Sequence, residues 1–167
     1  MNGFEKLIIS PLGKHHERVG FSCGVKELDH YLQRQAGQDV RRRVARVFVC
    51  TLPEENNVLG FCSLSAISID IRHLPENLSR KLPHHPLPCA LIGRLAVDQS
   101  ATENGLGRTM LMDAIKRALT VSNELAIHAM VVDAKNDSAK CFYEKFGFIS
   151  LDDVPVRLFL PLGAICL

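Results

Sequence analysis

The stretch from Gly93 to Thr109, GRLAVDQSATENGLGRT, is the part of the chain that most constrains its fold. Its apolar beginning predicts a buried strand, its polar middle a short loop, and its glycines the start of a helix. Gly105 and Gly107 lack Cβ atoms, so the backbone there can approach a ligand closely. The following helix directs its unpaired N–H groups and its positive dipole end to the same place. The stretch therefore predicts a site for a phosphate-bearing ligand.

Length and composition predict one domain over residues 1–167. The chain has 167 residues, of which 47% are hydrophobic, which is enough for one core and too little for two ordinary domains. It shows no signal-peptide pattern and no apolar run near the roughly 20 residues of a membrane span, so we expect a cytoplasmic protein without a membrane partner. Six scattered cysteines without a C-x-x-C pair favour reduced thiols, and we propose no metal site.

Positive charge is concentrated in one segment, although the net charge is only +2. This arginine segment, residues 34–46, carries five arginines and a single acid, Asp39. The arginines are Arg34, Arg41, Arg42, Arg43 and Arg46. It falls where a predicted helix gives way to a predicted strand. Two interpretations stay open, namely a basic ridge for a polyanion and a solvated helix end whose arginines cap the last carbonyl groups.

Hydrophobic periodicity predicts an α/β protein with the order strand, helix, strand, strand, long loop, strand, helix, strand, helix, strand, strand. The long loop spans 72–88 and is rich in proline and histidine. The segment 125–134 is apolar on both faces, which predicts a central strand that buries His128. Asn136 is placed to cap the next helix, and Gly147 is placed to end it.

Four blocks of the sequence carry a family resemblance: FSCGVKELDHYL, GFCSLSAISI, GRLAVDQ and AKCFYEKFGF. They resemble the GCN5-related N-acetyltransferases (GNAT), and in particular the toxins of toxin–antitoxin pairs that acetylate the amino acid on charged tRNA. The resemblance implies the GNAT fold, a central mixed β-sheet flanked by helices. The family signature R/Q-x-x-G-x-G/A reads T-E-N-G-L-G here, so both glycines match and Thr102 replaces the Arg or Gln. That replacement implies weaker or differently oriented cofactor binding.

The resemblance also implies acetyl-CoA as the co-substrate and assigns three segments to it. In the family the first segment contacts the acetyl carbonyl, and here it corresponds to Leu95, Ala96 and Val97. The second contacts the pyrophosphate and corresponds to Asn104, Gly105, Leu106, Gly107, Arg108 and Thr109. The third contacts the pantetheine arm and corresponds to Asn136. Asn136 also has a purely structural interpretation as a helix cap.

Tyr143 matches the family tyrosine that protonates the departing thiolate, so the resemblance implies that it is the general acid. A phenol with a pKa near 10 is protonated at neutral pH and can act in this way. Periodicity alone favours a core aromatic instead, because Phe142 and Phe146 flank Tyr143 at helical spacing.

With aminoacyl-tRNA as the implied substrate, the arginine segment acquires a possible role as a contact for acceptor-stem phosphates. Arg94 either contacts the tRNA 3′ end or forms a salt bridge that braces the sheet. The resemblance further implies a homodimer, a ribbon-helix-helix antitoxin, and operator DNA bound only through that antitoxin. Two alternatives remain: a GNAT enzyme acting on a small amine or a protein lysine, and a non-catalytic CoA- or RNA-binding module.

Overall fold

The computed structural model of the protein describes residues 6–151 and 156–165. Its strands form one sheet in the order β1-β2-β3-β4-β5-β7-β6. The strands are β1 (Ile8–Pro11), β2 (Arg46–Thr51), β3 (Gly60–Ile69), β4 (Leu87–Val97), β5 (Ala129–Asp133), β6 (Ile149–Ser150) and β7 (Arg157–Pro161). β4 and β5 are parallel, whereas β1–β2, β2–β3, β5–β7 and β6–β7 are antiparallel. The predicted mixed sheet is confirmed.

The helices follow the predicted order. They are α1 (Lys26–His30), α2 (Ala36–Arg41), α3 (Glu76–Ser79), α4 (Leu106–Val121) and α5 (Asp137–Glu144). A π-helical turn, Tyr31–Gln35, joins α1 to α2, and short 3-10 helices occupy Ile71–His73, Gln99–Asn104 and Leu162–Ala164. The predicted loop 72–88 ends earlier than expected, because β4 begins at Leu87 and includes Pro88. Before that strand, the longest regular element of the loop is α3, with four residues, as expected from prolines that cannot donate backbone hydrogen bonds.

The chain divides into two compact units, and the single domain over 1–167 stays a prediction. The first unit comprises Met1–Ser65 and Gly93–Ala114, and the second comprises Ala66–Ile92 and Ile115–Leu167. The core of the first unit includes Phe21, Leu32, Val49 and Phe61, which are at most 3% exposed. The core of the second unit includes Cys89, Ala129, Val131, Leu151 and Phe159, which are at most 1% exposed.

Within the first unit, Gly60 lets α4 pack closely on the sheet. The β2–β3 ladder runs from Arg46↔Leu64 to Cys50↔Gly60. A Cβ atom at Gly60 would lie 2.7 Å from Met110 Sδ and 3.2 Å from the Ala96 carbonyl oxygen. A side chain there would have to displace the Met110 side chain and the backbone of β4, so the first residue of β3 requires glycine.

The prediction that the central strand spans 125–134 is wrong at its beginning. The strand β5 starts at Ala129, because the Leu125 amide still donates to the Val121 carbonyl as α4 ends. Leu125 is 64% exposed. His128 therefore lies before the strand and is half-buried, with its ring centroid 6.1 Å from that of Phe159.

Candidate active site

The strand β4 continues beyond its parallel partner. The β4–β5 ladder runs from Cys89↔Ala129 to Ile92↔Val132, while β4 itself extends to Val97. Leu95, Ala96 and Val97 lie beyond the last pair of this ladder, so the ladder does not use their backbone groups. Backbone groups released in this way at the end of a ladder need other partners, and a ligand carbonyl can be one of them.

The predicted phosphate site at the start of α4, which we call the phosphate cradle, has the expected backbone geometry. Gly105 adopts φ +67°, the left-handed region that glycine occupies readily, and α4 begins at the next residue. The amides of Leu106, Gly107 and Arg108 form the first turn of α4 and have no acceptor within it by helix geometry. A Cβ atom placed on Gly105 would meet no atom within 4 Å, so the space beside Gly105 is open. An anion such as a pyrophosphate fits this helix start.

Two polar residues of this segment are engaged locally. The Thr109 amide donates to the Gly105 carbonyl at 3.1 Å, which removes it from the cradle and corrects the expectation that its N–H would face the ligand. The Thr102 hydroxyl donates to the Gln99 carbonyl at 3.2 Å and stabilises the 3-10 turn. Asn104 ends that turn and is exposed. The cradle therefore narrows to the amides of 106–108.

Asp98 connects the cradle to the N-terminal FSCG block, a link that sequence reasoning missed. Its carboxylate accepts the Ser22 amide at 2.9 Å and the Ser100 amide at 3.0 Å, and the Gln99 amide donates to the Ser22 carbonyl at 2.8 Å. Burial by itself raises the pKa of Asp98, but the hydrogen bonds from Ser22 and Ser100 outweigh it and hold that pKa below its usual value. The sequence offered one indication of this link, because FSCG and VDQ both occur in the blocks that carry the family resemblance.

The arginine segment is exposed and carries uncompensated charge. Arg34, Arg41, Arg42, Arg43 and Arg46 are all exposed, and across 6–151 and 156–165 none of them forms an ion pair. The only acid of the segment, Asp39, instead accepts the Tyr31 hydroxyl at 2.9 Å. Helix α2 ends at Arg41, so the predicted junction of helix and strand is confirmed.

Arg94 stacks on a tyrosine, and the salt bridge that was one of its two open interpretations is not found among the described residues. Its guanidinium carbon lies 3.7 Å from the centroid of the Tyr31 ring. Within the described part of the chain, Arg94 has no carboxylate partner. Burial, followed by the hydrogen bond to Asp39, raises the pKa of Tyr31 to about 12, so the ring stays a neutral phenol beneath the cation.

The second unit holds the remaining two candidates. The Asn136 side-chain oxygen accepts the Ala139 amide at 2.8 Å, which confirms the predicted helix cap. Tyr143 is 5% exposed, and its ring meets those of Phe142 and Phe148 edge-on, with centroid separations of 5.1 and 5.5 Å. Tyr143 is thus packed in an aromatic cluster, which is compatible with a catalytic hydroxyl at the end of a fixed ring.

Residues 6–151 and 156–165 contain neither a metal-binding cluster nor a membrane-spanning helix. No group of three histidine, cysteine, aspartate or glutamate side chains there is arranged to hold a metal ion. None of the described helices combines the length and the apolar character needed to cross a membrane. The described cysteines, Cys23, Cys50, Cys62, Cys89 and Cys141, are free thiols.

The chain belongs to the acetyltransferase (GNAT) family, whose model matches residues 15–148. It is an N-acetyltransferase related to bacterial toxins. A probable toxin TacT of Sinorhizobium fredii (strain NBRC 101917 / NGR234) is 30% identical over 172 residues, covering 98% of this chain and 95% of the relative. A tRNA-acetylating toxin of Mycobacterium tuberculosis (strain ATCC 25618 / H37Rv) is 34% identical over 142 residues, covering 85% of this chain and 84% of the relative.

Solved structures of similar proteins share the whole fold. AtaT complexed with acetyl-methionyl-tRNAfMet superposes with a TM-score of 0.90 at 27% identity, covering 95% of this chain and 96% of that one. A Tyr-to-Phe variant of the AtaT toxin, bound to the C-terminus of the antitoxin AtaR and acetyl-CoA, gives a TM-score of 0.82 at 25% identity, covering 96% of each chain. These matches confirm the predicted GNAT fold.

Proposed function

We propose that this chain is the toxin of a type II toxin–antitoxin pair and transfers an acetyl group from acetyl-CoA to the α-amino group of aminoacyl-tRNA. The observation that carries the proposal is a group of exposed arginines in the same unit as the phosphate cradle, which form no ion pair with any described residue. The similarity to a tRNA-acetylating toxin and to AtaT supports it. Acetylation would block translation, because the modified amine can no longer attack a peptidyl ester.

Acetyl-CoA would supply an activated acetyl thioester, and residues of the first unit would hold it. The amides of Leu106, Gly107 and Arg108 would bind the pyrophosphate at the start of α4, since they form the first turn of that helix and have no acceptor within it. Leu95, Ala96 and Val97 would direct backbone amides at the acetyl carbonyl, where negative charge develops during transfer. Asn104, Gly105 and, in the second unit, Asn136 complete the proposed contact set.

Tyr143 would donate its phenolic proton to the departing thiolate. Its ring is held by Phe142 and Phe148, which limits the positions that the hydroxyl can take. The solved structures of AtaT include a Tyr-to-Phe mutant toxin bound to acetyl-CoA. Solvent would remove the proton from the attacking amine, because an aminoacyl ester amine is less basic than a lysine side chain.

The five arginines of the segment, together with Arg94, would contact the phosphate backbone of the tRNA. Such contacts give affinity that falls with salt and does not depend on sequence. In this proposal the choice of amino acid comes from the shape of the acceptor pocket. The tRNA substrate also implies a cytoplasmic location.

The proposed assembly is a homodimer neutralised by a ribbon-helix-helix antitoxin that brings the pair to operator DNA. The complex of AtaT with the C-terminus of the antitoxin AtaR supports an antitoxin partner. Size-exclusion chromatography with light scattering of the full chain, alone and with the product of any adjacent short reading frame, tests it. A monomer at micromolar concentration would rule out the dimer.

The activity itself is tested by incubating the full chain with acetyl-CoA and a mixture of charged tRNAs. Mass spectrometry of the aminoacyl ends should then find N-acetylated residues on at least one tRNA. Polyamine and lysine-peptide substrates belong in parallel reactions. Acetylation of those substrates with unmodified tRNA would overturn the proposed substrate, and no acetylation of any amine would favour a non-catalytic module.

A further inference from the structure

Arg94 is a half-buried cation without a carboxylate partner in the described residues. It lies on β4, directly before the Leu95–Val97 segment. Removing a cation from water without an opposite charge costs free energy, so such residues are normally paired. Among the described residues the Arg94 contact is with Tyr31, whose ring centroid lies 3.7 Å from the guanidinium carbon.

The Tyr31 ring is held on two sides. Tyr31 is 1% exposed, and its ring stacks on Phe61 with a centroid separation of 6.0 Å and an interplanar angle of 22°. Its hydroxyl donates to an Asp39 carboxylate oxygen at 2.9 Å, and the Asp39 carbonyl accepts the Val44 amide at 3.0 Å. The ring is therefore anchored both to the core and to the end of α2.

A ring and a carboxylate hold a guanidinium in different ways. A carboxylate neutralises the cation, whereas a ring face orients it and leaves its full charge for another anion. The Asp39 carboxylate bonds to the Tyr31 hydroxyl and forms no ion pair with Arg94. The planar guanidinium fork then remains available to a phosphate, to which it can donate two parallel hydrogen bonds.

We propose that Tyr31, anchored by Asp39, is a positioning residue that fixes the Arg94 guanidinium for a backbone phosphate near the 3′ end of the RNA substrate. This inference rests on the proposed function and goes beyond it by naming Tyr31 and Asp39. Tyr31 itself does not touch the RNA. Its effect passes through Arg94, so the two residues should be energetically coupled.

The first test measures the binding of uncharged tRNA to the full chain at several salt concentrations. Arg94→Gln should weaken binding about tenfold and reduce the slope of log K against log salt by about one phosphate contact, roughly 0.7 to 0.9. Tyr31→Leu should act in the same direction. In the Arg94→Gln background, Tyr31→Leu should add nothing, because the group it positions is gone.

Two conservative variants keep the test independent of folding. Tyr31→Phe preserves the packing and the ring face and loses only the Asp39 anchor, so tRNA binding should weaken about threefold. Asp39→Asn retains an acceptor oxygen for the Tyr31 hydroxyl, so tRNA binding should stay near the wild-type value. Asp39→Ala removes that acceptor and should weaken tRNA binding as much as Tyr31→Phe does. The KM for acetyl-CoA should not change in any of these variants.

The outcomes separate this inference from the proposed function. If Tyr31→Leu weakens tRNA binding equally in the wild-type and Arg94→Gln backgrounds, Tyr31 acts only as a core residue and the inference is overturned. An unchanged salt slope in Arg94→Gln would do the same. If the wild-type chain acetylates no charged tRNA while these salt slopes shift as expected, the proposed function fails and the positioning of Arg94 on RNA stands.

Discussion

The ring of Phe148 lies edge-on against the ring of Tyr143, with centroids 5.5 Å apart, and the Phe148 amide donates to the Tyr143 carbonyl at 3.4 Å. The Gly147 amide donates to the Glu144 carbonyl at 3.1 Å, and Gly147 adopts φ +92°. These features form a Schellman motif, in which a left-handed glycine closes a helix and brings the next apolar residue back onto its last turn. The end of α5 thereby fixes the candidate proton donor.

Replacing Tyr143 with Phe should abolish most turnover without disturbing the fold. The variant keeps the ring and its contacts with Phe142 and Phe148 and loses only the hydroxyl, so kcat should fall by about 10² or more. Acetyl-CoA affinity, measured by calorimetry, and the thermal unfolding midpoint should stay near wild type. Unchanged kcat would remove Tyr143 from the mechanism.

Replacing Gly147 with Ala should destabilise the protein by about 1 kcal/mol, because a residue with a Cβ atom resists a positive φ. The added Cβ would lie 3.6 Å from Leu160 Cδ1, an ordinary contact, so the cost is conformational. Urea unfolding measures it. Gly163→Ala is the matched control: that glycine lacks a positive φ and a Cβ there meets no atom within 4 Å, so its effect should be within about 0.5 kcal/mol. Equal effects from both changes would contradict the Schellman interpretation.

Replacing Gly105 with Ala should raise the KM for acetyl-CoA about fivefold. The substitution meets no neighbouring atom, but φ +67° costs a non-glycine residue about 1 kcal/mol and tilts the first amides of α4 away from the cradle geometry. Gly20→Ala serves as the control, since a Cβ there also meets nothing within 4 Å and no positive φ is required. The KM for charged tRNA should stay constant in both variants, and an unchanged KM for acetyl-CoA in Gly105→Ala would argue against the cradle.

Reversing charge with Arg41→Glu and Arg42→Glu together should raise the KM for tRNA steeply, because two exposed cations become repulsive anions. Acetyl-CoA affinity should stay unchanged. Arg80→Glu together with Lys81→Glu is a charge-matched control at two other exposed cations. If the double variant and the control have the same tRNA kinetics, the arginine segment is a solvated face.

Removing the Asp98 carboxylate should weaken the connection between the FSCG block and the cradle. Asp98→Ala should cost about 1 kcal/mol of stability at neutral pH, as loss of a capping side chain usually does. The pKa of Asp98 is lowered in the folded state, so its stabilisation is complete above the ordinary carboxyl pKa and is lost as pH falls through the lowered one. Chemical unfolding at several pH values should therefore show wild type and variant converging in acid. A difference that grows in acid would contradict this role.

Several features were predictable from the sequence because their causes are local. A glycine at a helix start, an asparagine cap at position 136 and a left-handed glycine at position 147 each express the preference of one residue and its near neighbours. The order of strands and helices followed from hydrophobic periodicity in the same way. The boundary error before Ala129 arose because apolar residues leaving α4 continue the pattern of the strand without joining it.

By itself, the sequence determined the element order, the glycine-bounded helix starts and ends, the family resemblance and the candidate residues. Only the tertiary structure decided which of these residues act on one another. Ser22 and Asp98, or Tyr31 and Arg94, lie far apart along the chain, and no local pattern specifies that one will meet the other. Folding placed Asp39 on the Tyr31 hydroxyl and left the Arg94 charge unpaired among the described residues, because contacts between distant residues depend on how strands and helices pack.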